Sequence, residues 1–216
     1  MATNDPVTPA LAESATETAV EWARANSNKL AVAGIALVAV TAVWFFMREA
    51  SDRKEVNASR DLASAQMVFQ SGNAALAQSD LQALIRRYGG TAAATQARML
   101  LAQVHFGQGK VDEGLRELDA ITRPGAFEAA VQALRAGGLE MAGKPAEAAA
   151  AYERAAAAAD TKSARYAYQS DAARAYMAAG NADAARRIWE AMAADDSNPL
   201  AGEARVRLGE LKAKPA

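Results

Sequence analysis

The sequence has no cysteine and a single histidine, and only 6% of its residues are aromatic. Absence of cysteine excludes disulfides, thiolate zinc sites, cysteine nucleophiles and lipid attachment through a cysteine. The lone His105 has no second imidazole or thiol with which to build a transition-metal site. An excess of charge of one sign is lacking too. With 24 Lys and Arg against 25 Asp and Glu, the net charge is -1, so no basic field draws in nucleic acid. Val, Ile and Thr become sparse after residue 50 while alanine dominates. That balance favours helix over strand and predicts an all-α protein.

Long apolar runs are missing as well, with one exception. Residues 30–47, LAVAGIALVAVTAVWFFM, contain no charged residue. Eighteen helical residues span about 27 Å, close to the hydrocarbon thickness of a bilayer. Lys29 and Arg48 bracket the run, and Trp22, Trp44, Phe45 and Phe46 lie near its ends. Amphipathic rings and snorkelling cations sit at the membrane interface, so Trp22, Lys29, Trp44 and Arg48 are candidate interface anchors of a single transmembrane helix in contact with the lipid bilayer. A core helix of a soluble protein is the competing reading, but nothing else in the chain is apolar enough to wrap it. A cleaved signal peptide fits poorly. The leader holds more Asp and Glu than Lys and Arg, and Arg48 and Glu49 follow the run directly.

Residues 1–13, interrupted by Pro6 and Pro9, read as a polar tail. Ser14 and Glu17 have capping-box spacing and open a short amphipathic helix over 15–25, which Asn26, Ser27 and Asn28 interrupt. The chain is thus organised as a tail with a short helix (1–29), a transmembrane helix (30–47), a repeat domain (48–198) and a terminal capping helix (199–216).

The repeat is visible in the glycines. Gly72, Gly109, Gly143 and Gly180 are separated by 37, 34 and 37 residues, each between two helical patterns. Five residues past each glycine comes a small residue: Ala77, Gly114, Ala148 and Ala185. Nine past it comes a bulky one, Leu81, Leu118, Tyr152 or Trp189, followed on the same helical face by Leu84, Ile121, Ala155 or Met192. Seven before it stand Ala65, Ala102, Ala136 and Ala173. This pattern resembles the tetratricopeptide repeat over most of residues 57–198. The resemblance implies about four helical hairpins stacked into a short solenoid, its concave side lined by first helices.

Little catalytic chemistry is present. His105 occupies a position that the repeat fills with a large residue, and a packing role suits it. Residues 138–145, GLEMAGKP, match a phosphate-binding loop until Pro145 stands where Ser or Thr must meet magnesium, and they follow a helix rather than a strand. No cofactor is expected, and no enzyme. The remaining function is protein binding. By the repeat's geometry the groove would be lined by Leu62, Gln66, Phe69, Met99, Gln103, Phe106, Arg174 and Met177. Methionine and aromatic side chains there would adapt to unfolded or amphipathic protein segments. The competing reading makes half of them core.

The layout as a whole, with AVEWARANSNKLAVAGIALVAVTAVWFF followed by a charged helix and repeats such as GAFEAAVQALRAGGLEMAGKPAEAAAAYERA, resembles the YfgM-like ancillary subunits of the bacterial Sec translocon. That resemblance implies a single-pass inner-membrane protein with a cytoplasmic N-terminus and periplasmic repeats. Its partners would be the SecYEG channel and a membrane-tethered periplasmic chaperone, and its task the hand-over of translocated proteins. Charge points the other way. Arg24 and Lys29 precede the run whereas Arg48, Arg53, Lys54 and Arg60 follow it, which favours cytoplasmic repeats by the positive-inside count. Long domains can translocate regardless of such counts, and periplasmic repeats are expected. A scaffold for another envelope complex, serving division or outer-membrane assembly, would use the same anchor and groove.

Overall fold

The computed structural model describes Trp22 and residues 24–213; the tail and most of the short helix expected over 15–25 lie outside them. Helix α1 (Ser27–Gln70) is followed by α2 (Ala74–Tyr88), α3 (Ala92–Gly107), α4 (Val111–Asp119), α5 (Glu128–Met141), α6 (Pro145–Ala157), α7 (Lys162–Ala178), α8 (Ala182–Ala194) and α9 (Ala201–Ala213). A 3₁₀ turn, Gly125–Phe127, precedes α5. No strand occurs among the described residues. The chain divides into two compact units, Met1–Arg53 and Lys54–Ala216.

In the first unit, the apolar part of α1 is exposed on all sides. Val32, Ile35, Leu37, Val38, Val40, Val43, Trp44, Phe45, Phe46 and Met47 are all open to the surroundings. Among the described residues no helix is long and apolar enough to cross a membrane. The interruption expected at Asn26, Ser27 and Asn28 shrinks to a turn at Asn26, and α1 begins at Ser27. Neither proline nor glycine stands there to break the helical bonding.

The second unit is a solenoid of helical hairpins similar to tetratricopeptide repeats. Its four hairpin turns are built alike. Gly72, Gly109, Gly143 and Gly180 have φ of 85°, 74°, 71° and 76°, a left-handed conformation that costs glycine nothing and other residues much. Each glycine N–H donates to the carbonyl three residues back, and the next N–H to the carbonyl five back: Gly109 to Phe106 at 3.0 Å and Lys110 to His105 at 2.9 Å, Gly143 to Glu140 at 3.0 Å and Lys144 to Leu139 at 2.9 Å. This double bond satisfies the last carbonyls of each first helix. Beyond three of the turns the helix starts on a capping side chain or a proline; α4, beyond Gly109, starts on neither. Asn73 accepts from the Leu76 N–H at 3.1 Å, Asn181 from that of Ala184 at 3.1 Å, and Pro145 occupies the first turn of α6, where its missing N–H is harmless.

Small side chains let the helices approach. Ala65, Ala77, Ala102, Ala136, Ala148, Ala173 and Ala185 have no exposed surface. Gly114 and Gly138 serve the same end more sharply, because the ring of Phe106 lies over both. A Cβ on Gly138 would meet Phe106 Cζ at 2.5 Å and Leu115 Cδ2 at 2.9 Å, and one on Gly114 would also meet the Ala102 carbonyl at 3.0 Å. Between these contacts run four local cores, one of which joins Ala58, Leu62 and Ala65 of α1 to Leu81, Leu84 and Leu101. Another joins Tyr166, Ala173, Trp189 and Met192 to Ala204 of α9. Each core ties one hairpin to the next, as expected of a quasi-one-dimensional fold. In the second hairpin α4 ends at Asp119, so Ile121 packs on its core from beyond the helix instead of within it. The sequence Thr122–Arg123–Pro124 explains the early stop, since the residue before a proline is driven out of helical conformation.

Candidate protein-binding surface

The charged start of the second unit is an anchoring device. Glu55 accepts from the N–H groups of Ala92 and Ala93, both at 2.8 Å, and Lys54 Nζ donates to the Gly89 carbonyl at 2.9 Å. One acid therefore neutralises the positive end of α3 while its neighbour satisfies the carbonyl that closes α2. Thr91 completes the α3 cap by accepting from Ala94 at 3.0 Å.

The residues expected in the groove separate into two groups. Leu62 and Phe106 are buried, 5% and 8% exposed, and belong to the core; no partner can reach them. Phe69, Met99 and Met177 are half-buried against local cores. Gln66, Gln103 and Arg174 are exposed. His105 is buried too, and its Nδ1 has no hydrogen-bond partner. Of the anchor residues, Trp22, Lys29, Trp44 and Arg48 are all exposed, and the Arg48 guanidinium lies 5.5 Å from the Trp44 ring centroid, within cation–π range.

Arg174 and Met177 meet in a cleft of about 400 Å³. They come from α7, Trp189 from α8, and Arg207, Glu210 and Leu211 from α9. Volumes of this order are typical of ligand pockets. Trp189 is only 3% exposed, and its indole Nε1–H has no acceptor within the described chain. A polar strip continues from the cleft. Arg174 donates to Asp171, a bond that raises its already high pKa, and Tyr152 donates to Glu140 at 3.1 Å. Burial, and then the negative charge of Glu140, pushes the Tyr152 phenol up to about 12. The phenol therefore stays neutral and a donor at physiological pH.

Such an arrangement offers hydrogen bonds, two cations and an apolar floor, but no nucleophile paired with a base. Among the described residues no group of three His, Cys, Asp or Glu side chains could hold a metal. Sequence spacing picked out Arg174 and Met177 but missed Trp189, Arg207, Glu210 and Leu211. By spacing Trp189 reads only as the bulky residue of its repeat, and residues 199–216 only as a capping helix. The available clue was a tryptophan, whose N–H needs an acceptor when buried, at the end of the repeat array.

The model of the tetratricopeptide repeat-like domain matches residues 14–170, most of the chain. The chain belongs to that family. Curated proteins yield no match to it. A tetratricopeptide-like fold is a protein-interaction module, built to present surface rather than to catalyse. The matched span includes the apolar run of residues 30–47. It stops inside α7, so every residue lining the cleft lies beyond it.

Proposed function

We propose that this protein is a membrane-anchored binding module of the bacterial inner membrane, associated with the Sec translocon, that holds translocated polypeptides and passes them to periplasmic chaperones. The observation that carries the reading is the exposed apolar stretch of α1, in sequence continuity with a tetratricopeptide-like solenoid. The run has eighteen uncharged residues, and those of its large side chains that are described are exposed; such a run needs an apolar solvent, and the bilayer is the one that its length suits. Tethering a groove beside its clients raises their effective concentration, which compensates for weak individual contacts. The translocon and the chaperone enter through the resemblance to the YfgM-like subunits, as does a cytoplasmic N-terminus with the repeats in the periplasm.

Two experiments test this reading. Alkaline phosphatase and a fluorescent protein, fused separately to the C-terminus, report the side of the membrane; an active phosphatase with a dark fluorophore is expected, and the reverse pattern overturns the periplasmic assignment. Crosslinking in membranes followed by mass spectrometry should recover SecYEG subunits. Recovery of division or outer-membrane assembly proteins instead would make the chain a scaffold of that complex.

A further inference from the structure

The cleft between α7, α8 and α9 has features that a merely structural gap would not need. Its floor is apolar, from Met177, Trp189 and Leu211. Within its wall sits the Trp189 side chain, whose buried N–H lacks an acceptor, an unusual state for a buried donor in a folded protein. Two arginines face the cleft from different helices, with Glu210 beside them, and among the described residues each pairs along its own helix: Arg174 with Asp171, and Arg207 with Glu210 at 3.1 Å and Glu203 at 3.9 Å. Those are exposed pairs three or four residues apart, which are weak and readily exchanged. Among the described residues no ion pair of either arginine crosses the cleft. A ligand carboxylate placed there would be held by guanidinium groups from α7 and α9 together, in the charge-assisted geometry that arginine supports best.

From this we infer that the cleft recognises an extended segment of another polypeptide, one that presents a large apolar side chain beside an internal aspartate or glutamate. The apolar side chain enters between Met177 and Leu211, above the buried Trp189, and the carboxylate bridges Arg174 and Arg207. At about 400 Å³ the cleft takes one or two side chains and not a folded surface, so the partner must be locally unfolded there. This inference rests on the reading of the chain as a protein-binding module and specifies what that module selects.

The test uses the detergent-solubilised full-length chain and fluorescently labelled twelve-residue peptides in a Gly/Ser background, blocked at both ends, read by anisotropy at low salt. A peptide with a central Leu-Asp pair should bind, and its Leu-Asn and Ala-Asp counterparts should each bind about tenfold more weakly, the effect of losing one charge-assisted bond or one buried side chain. The R174Q/R207Q double variant, altered at one exposed and one half-buried position, should keep its helical circular dichroism, lose the preference for Asp over Asn and retain that for Leu over Ala. Equal binding of all three peptides overturns the inference, as does an Asp preference that survives in the double variant. Tighter binding of an unblocked Leu-Asn peptide than of blocked Leu-Asp also overturns it, in favour of a terminal carboxylate. So would self-association of the chain that the double variant abolishes, in favour of a second copy. Binding of a chemically unfolded polypeptide separates the two readings. If both the wild type and the double variant bind it equally, the cleft assignment falls while the module stands; if neither binds it, the module reading itself falls.

Discussion

Helix α1 contains two stretches that treat apolar side chains in opposite ways. Residues 35–47 are almost wholly apolar, and the large side chains among them are exposed. Residues 54–70 are mixed and mostly polar, yet Ala58, Leu62 and Ala65 are buried. Hydrophobicity alone therefore does not decide burial; what decides it is whether the rest of the chain supplies a complementary face. The second stretch has one in α2 and α3, together with the polar clasp at Lys54 and Glu55. Among the described residues the first has none.

The hardest way to break that contrast is to damage the packed side. Leu118→Ala removes a side chain with no exposed surface and should cost about 2–5 kcal/mol, read as a lower urea midpoint for the repeats, while membrane attachment is kept. Val38→Asp strikes the exposed side. On the membrane reading it should oppose insertion by about 2.5–3.5 kcal/mol and shift the protein from the membrane pellet to the soluble fraction without lowering the urea midpoint; unchanged fractionation would count against the membrane anchor. Smaller than either is Glu55→Ala, which deprives two N–H groups of α3 of their acceptor and should cost about 1–2 kcal/mol, seen as faster hydrogen exchange at Ala92 and Ala93.

The smallest effect concerns pH. Hydrogen bonds from the Tyr166 hydroxyl first, then from the Ser197 hydroxyl and N–H, hold the Asp195 carboxyl down at about 2. A carboxyl whose folded pKa is depressed stabilises the fold above its unfolded value of about 3.9, and that contribution fades as pH falls toward 2. Tyr166→Phe removes the largest cause. The variant should lose less stability than wild type between pH 4 and pH 2 in thermal melts, with membrane attachment insensitive to the change.

Much of the fold could be read from spacing, because the features concerned are local. A glycine every 34 to 37 residues with small residues at fixed offsets marks both the turns and the close approaches. Local pattern misled where a helix end is set by a few residues, as at Thr122–Arg123–Pro124, which ends α4 early, and at Asn26–Asn28, where only Asn26 interrupts the helix. The binding surface was less legible. First-helix positions at regular spacing include both lining and core, and Leu62 and Phe106 fall on the core side because the neighbouring helix covers them. The cleft depends on α7, α8 and α9 meeting, and no offset within a repeat encodes that meeting. Lys54 and Glu55 read only as a charge cluster, although their partners at Gly89, Ala92 and Ala93 lie more than thirty residues away in sequence.

The ring of Phe106, lying over Gly114 and Gly138, also constrains how this protein can evolve. Alanine at either glycine should be harmful while residue 106 is phenylalanine, and less harmful once that residue has become smaller, when only the Ala102 carbonyl and the Leu115 side chain still crowd the added methyl groups. Loss of the ring alone would leave a void that a later methyl group could fill. The three positions form an epistatic set spread over three helices, and substitutions accepted in one lineage would be rejected in another that had taken its steps in a different order.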